Sequence, residues 1–182
     1  MAESLNTAEK KWFVMRDLKR ANANLPAHVM LRNLDFEVFT PMVWQIGTKH
    51  GRQVRLRVPV VRDLLFVHCV KEDLDIVVAK TDTLQYRFLK GGSFRQPMVV
   101  RDAEMERFIN AVASTDTPVF YAPEEITPQM IGRRVRIVGG ALDGQEASLL
   151  KVRGSRKKRI IVEIPKLISV GVEISPDYVE LI

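Results

Sequence analysis

The chain has 182 residues, of which 46% are hydrophobic and 27% charged, with a formal net charge of +6 and a pI near 9.6. That length holds one domain of ordinary size or two small ones, and the composition excludes a fibrous or largely disordered chain. The positive surplus favours an acidic partner such as nucleic acid. A single cysteine, Cys69, makes no internal disulfide, and its apolar neighbours predict a small buried hydrophobe rather than a nucleophile. The first residues lack the apolar core of a signal peptide, and no stretch reaches the roughly 20 apolar residues that cross a bilayer. A soluble cytoplasmic protein is therefore expected.

Residues 1–9 read as a flexible tail. The run 11–15, KWFVM, is aromatic and β-branched and predicts a first strand, ended by the charged segment 16–20. From Asn24, a candidate cap, Pro26 and the spacing of Val29, Met30, Leu31 and Leu34 predict a short amphipathic helix. Residues 36–43 return to strand, with Pro41 at an edge or break. Between Val38 and Arg62 there is no acidic residue, while Lys49, Arg52, Arg55 and Arg57 fall inside and Gly47 and Gly51 punctuate the middle. This predicts a basic hairpin. Alternation over 53–58 puts Arg55 and Arg57 on one side, away from Val54, Leu56 and Val58. Uncompensated basic charge of this kind attracts phosphate; the alternative is a solvated face that keeps an edge strand soluble.

After the apolar run 64–70, residues 71–79 predict a short helix with Leu74, Val77 and Val78 on one side, and 84–89 a strand stopped by Gly91-Gly92. Asp102 is a candidate N-cap for a helix with Met105, Phe108, Ile109 and Val112 as its stripe. Residues 115–128 hold Pro118, Pro123 and Pro128 and read as a proline-rich linker. Beyond it, Val135 and Ile137 alternate with Arg134 and Arg136, then come Gly139-Gly140, Asp143-Gly144 and Leu149-Leu150, which is a strand, a turn and a strand. Gly140 and Gly144 are expected at positive φ or at a close backbone approach. Short strands at 159–164, 168–174 and 178–182 complete five in about fifty residues and suggest a small barrel. The charge run Arg153, Arg156, Lys157, Lys158, Arg159 around Gly154 is expected at a hairpin tip, either solvated or touching RNA or DNA.

The order VRIVGGALDGQEA, Val135 to Ala147, resembles the KOW motif of NusG-type transcription elongation factors, with Val135, Ile137, Gly140, Gly144 and Ala147 at its marked positions. Ala147 stands where that motif usually has glycine, a replacement that some specialised paralogues carry. Pro59 and Leu65-Phe66-Val67 fit the N-terminal domain of the same family, whereas Arg62, Asp63 and Leu64 replace its usual turn and aromatic. That version looks like the UpxY-type antiterminators of capsular polysaccharide operons. The layout of glycines, proline, cap and helix over 91–108 resembles the end of the same domain.

This resemblance implies an α+β N-terminal domain, NGN-like, over 10–114, an antiparallel sheet flanked by helices, joined through 115–128 to an all-β SH3-like KOW barrel over 129–182. It implies docking on the clamp helices of RNA polymerase through Trp12, Phe13, Val61 and Leu64, with Trp12 equally at home in the core. It also implies contact with the non-template DNA strand, for which Arg16, Lys19 and Arg20 match, joined by the hairpin's Lys49, Arg52, Arg55 and Arg57. The barrel's implied partners are nascent RNA or a ribosomal or termination protein. The expected function is suppression of pausing or termination on long operons such as surface polysaccharide loci, by a monomer without cofactor or metal. A ribosome-associated or general RNA-binding KOW protein is the alternative. Catalysis is not expected: His28, His50 and His68 form no evident dyad, and the glycine pairs lack the contexts that bind nucleotide phosphates.

Overall fold

The computed structural model describes residues 9–20, 23–91 and 93–182. The expected tail falls almost wholly outside them. Contacts divide the chain into two units, Met1–Asp102 and Ala103–Ile182.

In the first unit, β1 (Lys11–Asp17) lies at the middle of an antiparallel sheet. It pairs with β5 (Leu64–Cys69) on one side and with β6 (Leu84–Tyr86) and β7 (Val99–Val100) on the other, while β2 (Glu37–Phe39) extends the sheet beyond β5. Strand alternation divides the sheet's side chains between two faces. Phe13 and Met15 join Leu65, Val67 and Cys69 in a core cluster with Ala27 and Leu31 of α1 (Ala27–Asn33) and Leu74 of α2 (Lys71–Ala79). Trp12 and Val14 lie on the opposite face with Leu64 and Phe66, and all four are buried.

Two expected caps differ in the structure. The helix α1 has Pro26 at its N-cap and no side-chain cap from its own segment. Asp17, at the end of β1, supplies the carboxylate instead, accepting the Ala27 N–H at 2.6 Å and the Lys19 N–H at 3.0 Å. Asp102 is the first residue of α3 (Asp102–Ala113), inside the helix rather than capping it.

Thr40 and Pro41 break the expected strand 36–43, so β2 ends at Phe39 and a new strand, β3 (Met42–Lys49), begins beyond them. It pairs along its whole length with β4 (Arg52–Pro59) as a separate two-stranded sheet. The turn between them places His50 at φ 52° and Gly51 at φ 75°. Two consecutive positive values are those of a type I′ turn, whose twist matches that of the strands it joins.

The second unit carries β9 (Ile131–Ile137), β10 (Glu146–Leu150), β11 (Arg159–Ile164), β12 (Ile168–Glu173) and β13 (Val179–Leu181), paired in the order β13-β9-β10-β11-β12. This is the strand order of an SH3-like barrel, so the α+β plus small all-β architecture expected from the sequence is present. Val135, Ile137, Ile160, Ile164, Ile168, Val170 and Val172 form its interior. One segment departs from expectation: within the presumed linker, β8 (Val119–Tyr121) pairs with β12 and becomes the sixth strand of this sheet. Three consecutive β-branched or aromatic residues outweigh the flanking prolines, which lie outside the paired positions. Phe108 of α3 packs on Phe120 of β8 at 6.4 Å between ring centroids, so α3 groups with the second unit, whereas the sequence places the boundary at 114.

Candidate binding surfaces

The four residues expected to form an apolar docking patch do not lie together at the surface. Phe13 faces the helices and meets Tyr86 edge-on, at 5.7 Å. It is one residue from Trp12 on a strand, so the two point to opposite faces and cannot share a patch. Trp12 stacks on His68 at 4.9 Å and is 6% exposed; Leu64 is 2% exposed. Val61 is partly exposed in the turn before β5, where its carbonyl accepts the Leu64 N–H at 3.2 Å. His68 is held by Glu37, whose Oε2 lies 2.7 Å from Nδ1, and its neighbour Cys69 points into the core. Burial pushes the Cys69 thiol up to about 12, with Asp73 adding to the effect.

Between Val61 and Leu64 the chain turns on Asp63, whose carboxylate receives Arg16 Nε and Arg87 Nη2, each at 3.2 Å. Arg16 is therefore partly neutralised and positioned by an acid on the neighbouring turn. Lys19 donates from Nζ to the Leu25 carbonyl at 2.8 Å, which fixes the chain leading into α1. Arg20 is exposed. Of the three cations expected after the first strand, two thus have structural partners.

The hairpin β3–β4 differs. Lys49, Arg52, Arg55 and Arg57 are all exposed, and none has a carboxylate partner among the described residues. The turn fixes the register, pairing Lys49 with Arg52, Ile46 with Arg55 and Trp44 with Arg57. Directly opposed residues of an antiparallel pair share a face. Arg55 and Arg57 therefore project beside Trp44 and Ile46, while Lys49 and Arg52 project from the other face with Leu56 and Val58. Trp44 is 51% and Ile46 78% exposed, and the Arg55 guanidinium lies 4.7 Å from the Trp44 ring centroid. Sequence reasoning missed Trp44. The signal was present, because a two-residue turn at His50-Gly51 sets the partner of every residue in both strands.

In the second unit the KOW-like segment is built as a strand, a one-turn loop and a strand. Val135 and Ile137 are buried; Arg134 and Arg136 lie outward and grip Glu146 at 2.9 and 3.3 Å. Gly140 and Gly144 have φ of 73° and 74°, as their spacing predicts, and the Gly144 N–H returns to the Ile137 carbonyl at 2.8 Å. Ala147 is buried opposite Val135, so its methyl is accommodated in the barrel wall. The β10–β11 loop, with Gly154 at φ 78°, sets Arg153, Arg156 and Lys158 around a concavity that Arg133 and Lys151 also line. Lys157 and Arg159 line it too and are ion-paired with Glu173, at 2.7 and 3.0 Å.

Among the described residues no three His, Cys, Asp or Glu side chains cluster as a metal site, and no helix is long and apolar enough to cross a membrane. The fold class is thus an α+β unit with an exposed basic hairpin, carried in one chain with a small β-barrel. The family model for transcription termination factor NusG matches residues 10–109. The chain belongs to the NusG family, whose members are transcription elongation and antitermination factors that bind RNA polymerase. A solved structure described as "Domain interaction in Thermotoga maritima NusG" is similar at 16% identity and a TM-score of 0.48, covering 96% of this chain and 98% of that one. Among curated proteins there is no match.

Proposed function

We propose that this chain is a specialised, UpxY-like antitermination factor that rides on RNA polymerase and suppresses pausing or termination on particular long operons, such as those for surface polysaccharides. The observation that carries this reading is the hairpin β3–β4: four exposed cations without an acidic partner among the described residues, on an arm of a NusG-family domain. Such an arm is suited to the phosphates of the non-template strand in the transcription bubble. Arg20 adds a further exposed cation, and Arg16 a partly neutralised one. The altered turn at 62–64 supports the specialised assignment, since Asp63 there is an ion-paired anchor for two arginines rather than a solvent-facing substitution.

Docking on the polymerase clamp helices is assigned to the face that carries Trp12, Val61 and Leu64. Val61 is half-buried in the turn that leads into Leu64, and engagement of Trp12 and Leu64 requires that they be uncovered on binding. The barrel's concavity, with Arg133, Lys151, Arg153, Arg156 and Lys158, favours nascent RNA as its partner. The same observation favours the second reading, a general RNA-binding KOW protein.

The test is co-elution of the full chain with core RNA polymerase. The wild type is expected to co-elute, and Val61→Asp, folded by circular dichroism, to bind at least tenfold more weakly. Failure of the wild type to co-elute even at low salt contradicts the assignment and leaves the RNA-binding reading.

A further inference from the structure

The hairpin's two faces are chemically unlike. One carries an indole that is half exposed, a neighbouring isoleucine still more so, and two guanidinium groups in register with them. An exposed tryptophan with an arginine over its ring, 4.7 Å from the centroid, is partly stabilised by cation–π attraction, which sets a charge over one face of the half-exposed indole. The pairing of Trp44 with Arg57 puts a second arginine directly across from it on β4, on the same face. No acidic residue occurs from Val38 to Arg62 to compete for these charges.

Aromatic faces flanked by cations are the physical means by which proteins hold unpaired nucleotides: a base stacks on the ring while the backbone phosphates meet the cations. Duplex DNA offers phosphates but no free base face. We propose that Trp44 is a stacking platform for an unpaired base, with Arg55 and Arg57 taking the adjoining phosphates, so that this face of the hairpin selects single-stranded over double-stranded nucleic acid. The proposal deepens the nucleic-acid reading of the hairpin and rests on it. The ligand class is a single strand of DNA or RNA, held without base-specific hydrogen bonds. Complementary charge and the half-exposed ring together argue for this occupant over a protein groove.

Binding is measured on the full chain with three probes: an oligothymidylate of about 12 nucleotides, an abasic strand of the same length and charge, and a duplex of the same length. The chain has two tryptophans. Trp12 is buried against His68, so fluorescence quenching in a Trp12→Phe background reports Trp44 alone. The expected result is quenching by oligothymidylate, weaker binding of the abasic strand, and a loss of about tenfold in Trp44→Leu for the base-bearing strand only. Trp44→Phe should keep most of the affinity, which separates stacking from any loosening of the hairpin. Arg57→Gln should weaken the base-bearing and abasic strands alike. If Trp44→Leu binds both strands as the wild type does while Arg57→Gln still weakens them, the stacking platform is overturned and phosphate binding stands. Equal affinity for duplex and single strand also overturns it. If no probe binds the wild type at low salt, the nucleic-acid reading of the hairpin falls, and the platform with it.

Discussion

Asp17 ends the first strand and organises the start of the first helix with one buried carboxylate. Removing a buried acceptor leaves N–H groups without a partner, which costs more than the net value of the bonds themselves. Asp17→Ala is expected to destabilise the protein by about 2 kcal/mol, as urea unfolding would measure. The sequence did not disclose this role, because the cap lies ten residues upstream of its helix and nearby Asn24 was the natural candidate. Asp75 belongs to a second polar arrangement at this scale. Burial raises its carboxyl, but hydrogen bonds from Lys71, at 2.6 Å, and from the Tyr86 hydroxyl, at 2.8 Å, prevail and hold it below its ordinary value of 3.8. Tyr86 is raised in turn, by burial first and then by the bond to Asp75. Because the folded Asp75 value is the lower one, its contribution is fully present above the unfolded value and is lost as pH falls through the folded value. Stability measured from about pH 5 to about pH 2 should therefore fall more steeply in the wild type than in Asp75→Asn. Equal slopes would remove Asp75 from the account.

Turn chemistry decides two elements. His50 occupies a positive-φ position of the hairpin turn at some conformational cost, and Asn is the residue better suited there. His50→Asn is expected to stabilise the protein by about 0.5 kcal/mol, measured by thermal unfolding, without altering nucleic-acid binding. In the barrel, open space surrounds the Cα of Gly144, so a methyl meets no atom and only the φ of 74° opposes it. Gly144→Ala should cost about 1 kcal/mol by the same measurement. A cost near zero would mean that the loop rearranges. The KOW-like strands, both glycines and the basic hairpin were legible because each rests on local signals: alternation, paired glycines and charge without acid. Strand β8 was not. Val119, Phe120 and Tyr121 carry strand propensity, but their partner, β12, lies about fifty residues away, and prolines before and after them read as punctuation.

At the scale of the whole molecule, the α+β unit and the small barrel are both present, as motif order implies, and family membership rests on the match over 10–109. The candidate site was legible in part. Its cations were visible as a run without acid, yet their division between two faces, and the presence of Trp44 on one of them, depended on register. The docking face was less legible: from sequence, Phe13 and Trp12 are adjacent aromatics, and only their opposite directions on β1 separate a core residue from a candidate contact. Buried Trp12 and Leu64 leave Val61 as the accessible member, which is why it carries the co-elution test.

The central claim is that the hairpin of a polymerase-bound factor meets the non-template strand. The most direct measurement puts a photo-crosslinking amino acid at Ile46, exposed on the Trp44 face, and assembles the full chain on an elongation complex with distinguishably labelled strands. The account predicts crosslinks to the unpaired non-template strand that weaken when Arg55 and Arg57 are replaced by glutamine. Crosslinks confined to polymerase subunits or to the duplex, from a complex shown to contain the factor, would contradict it.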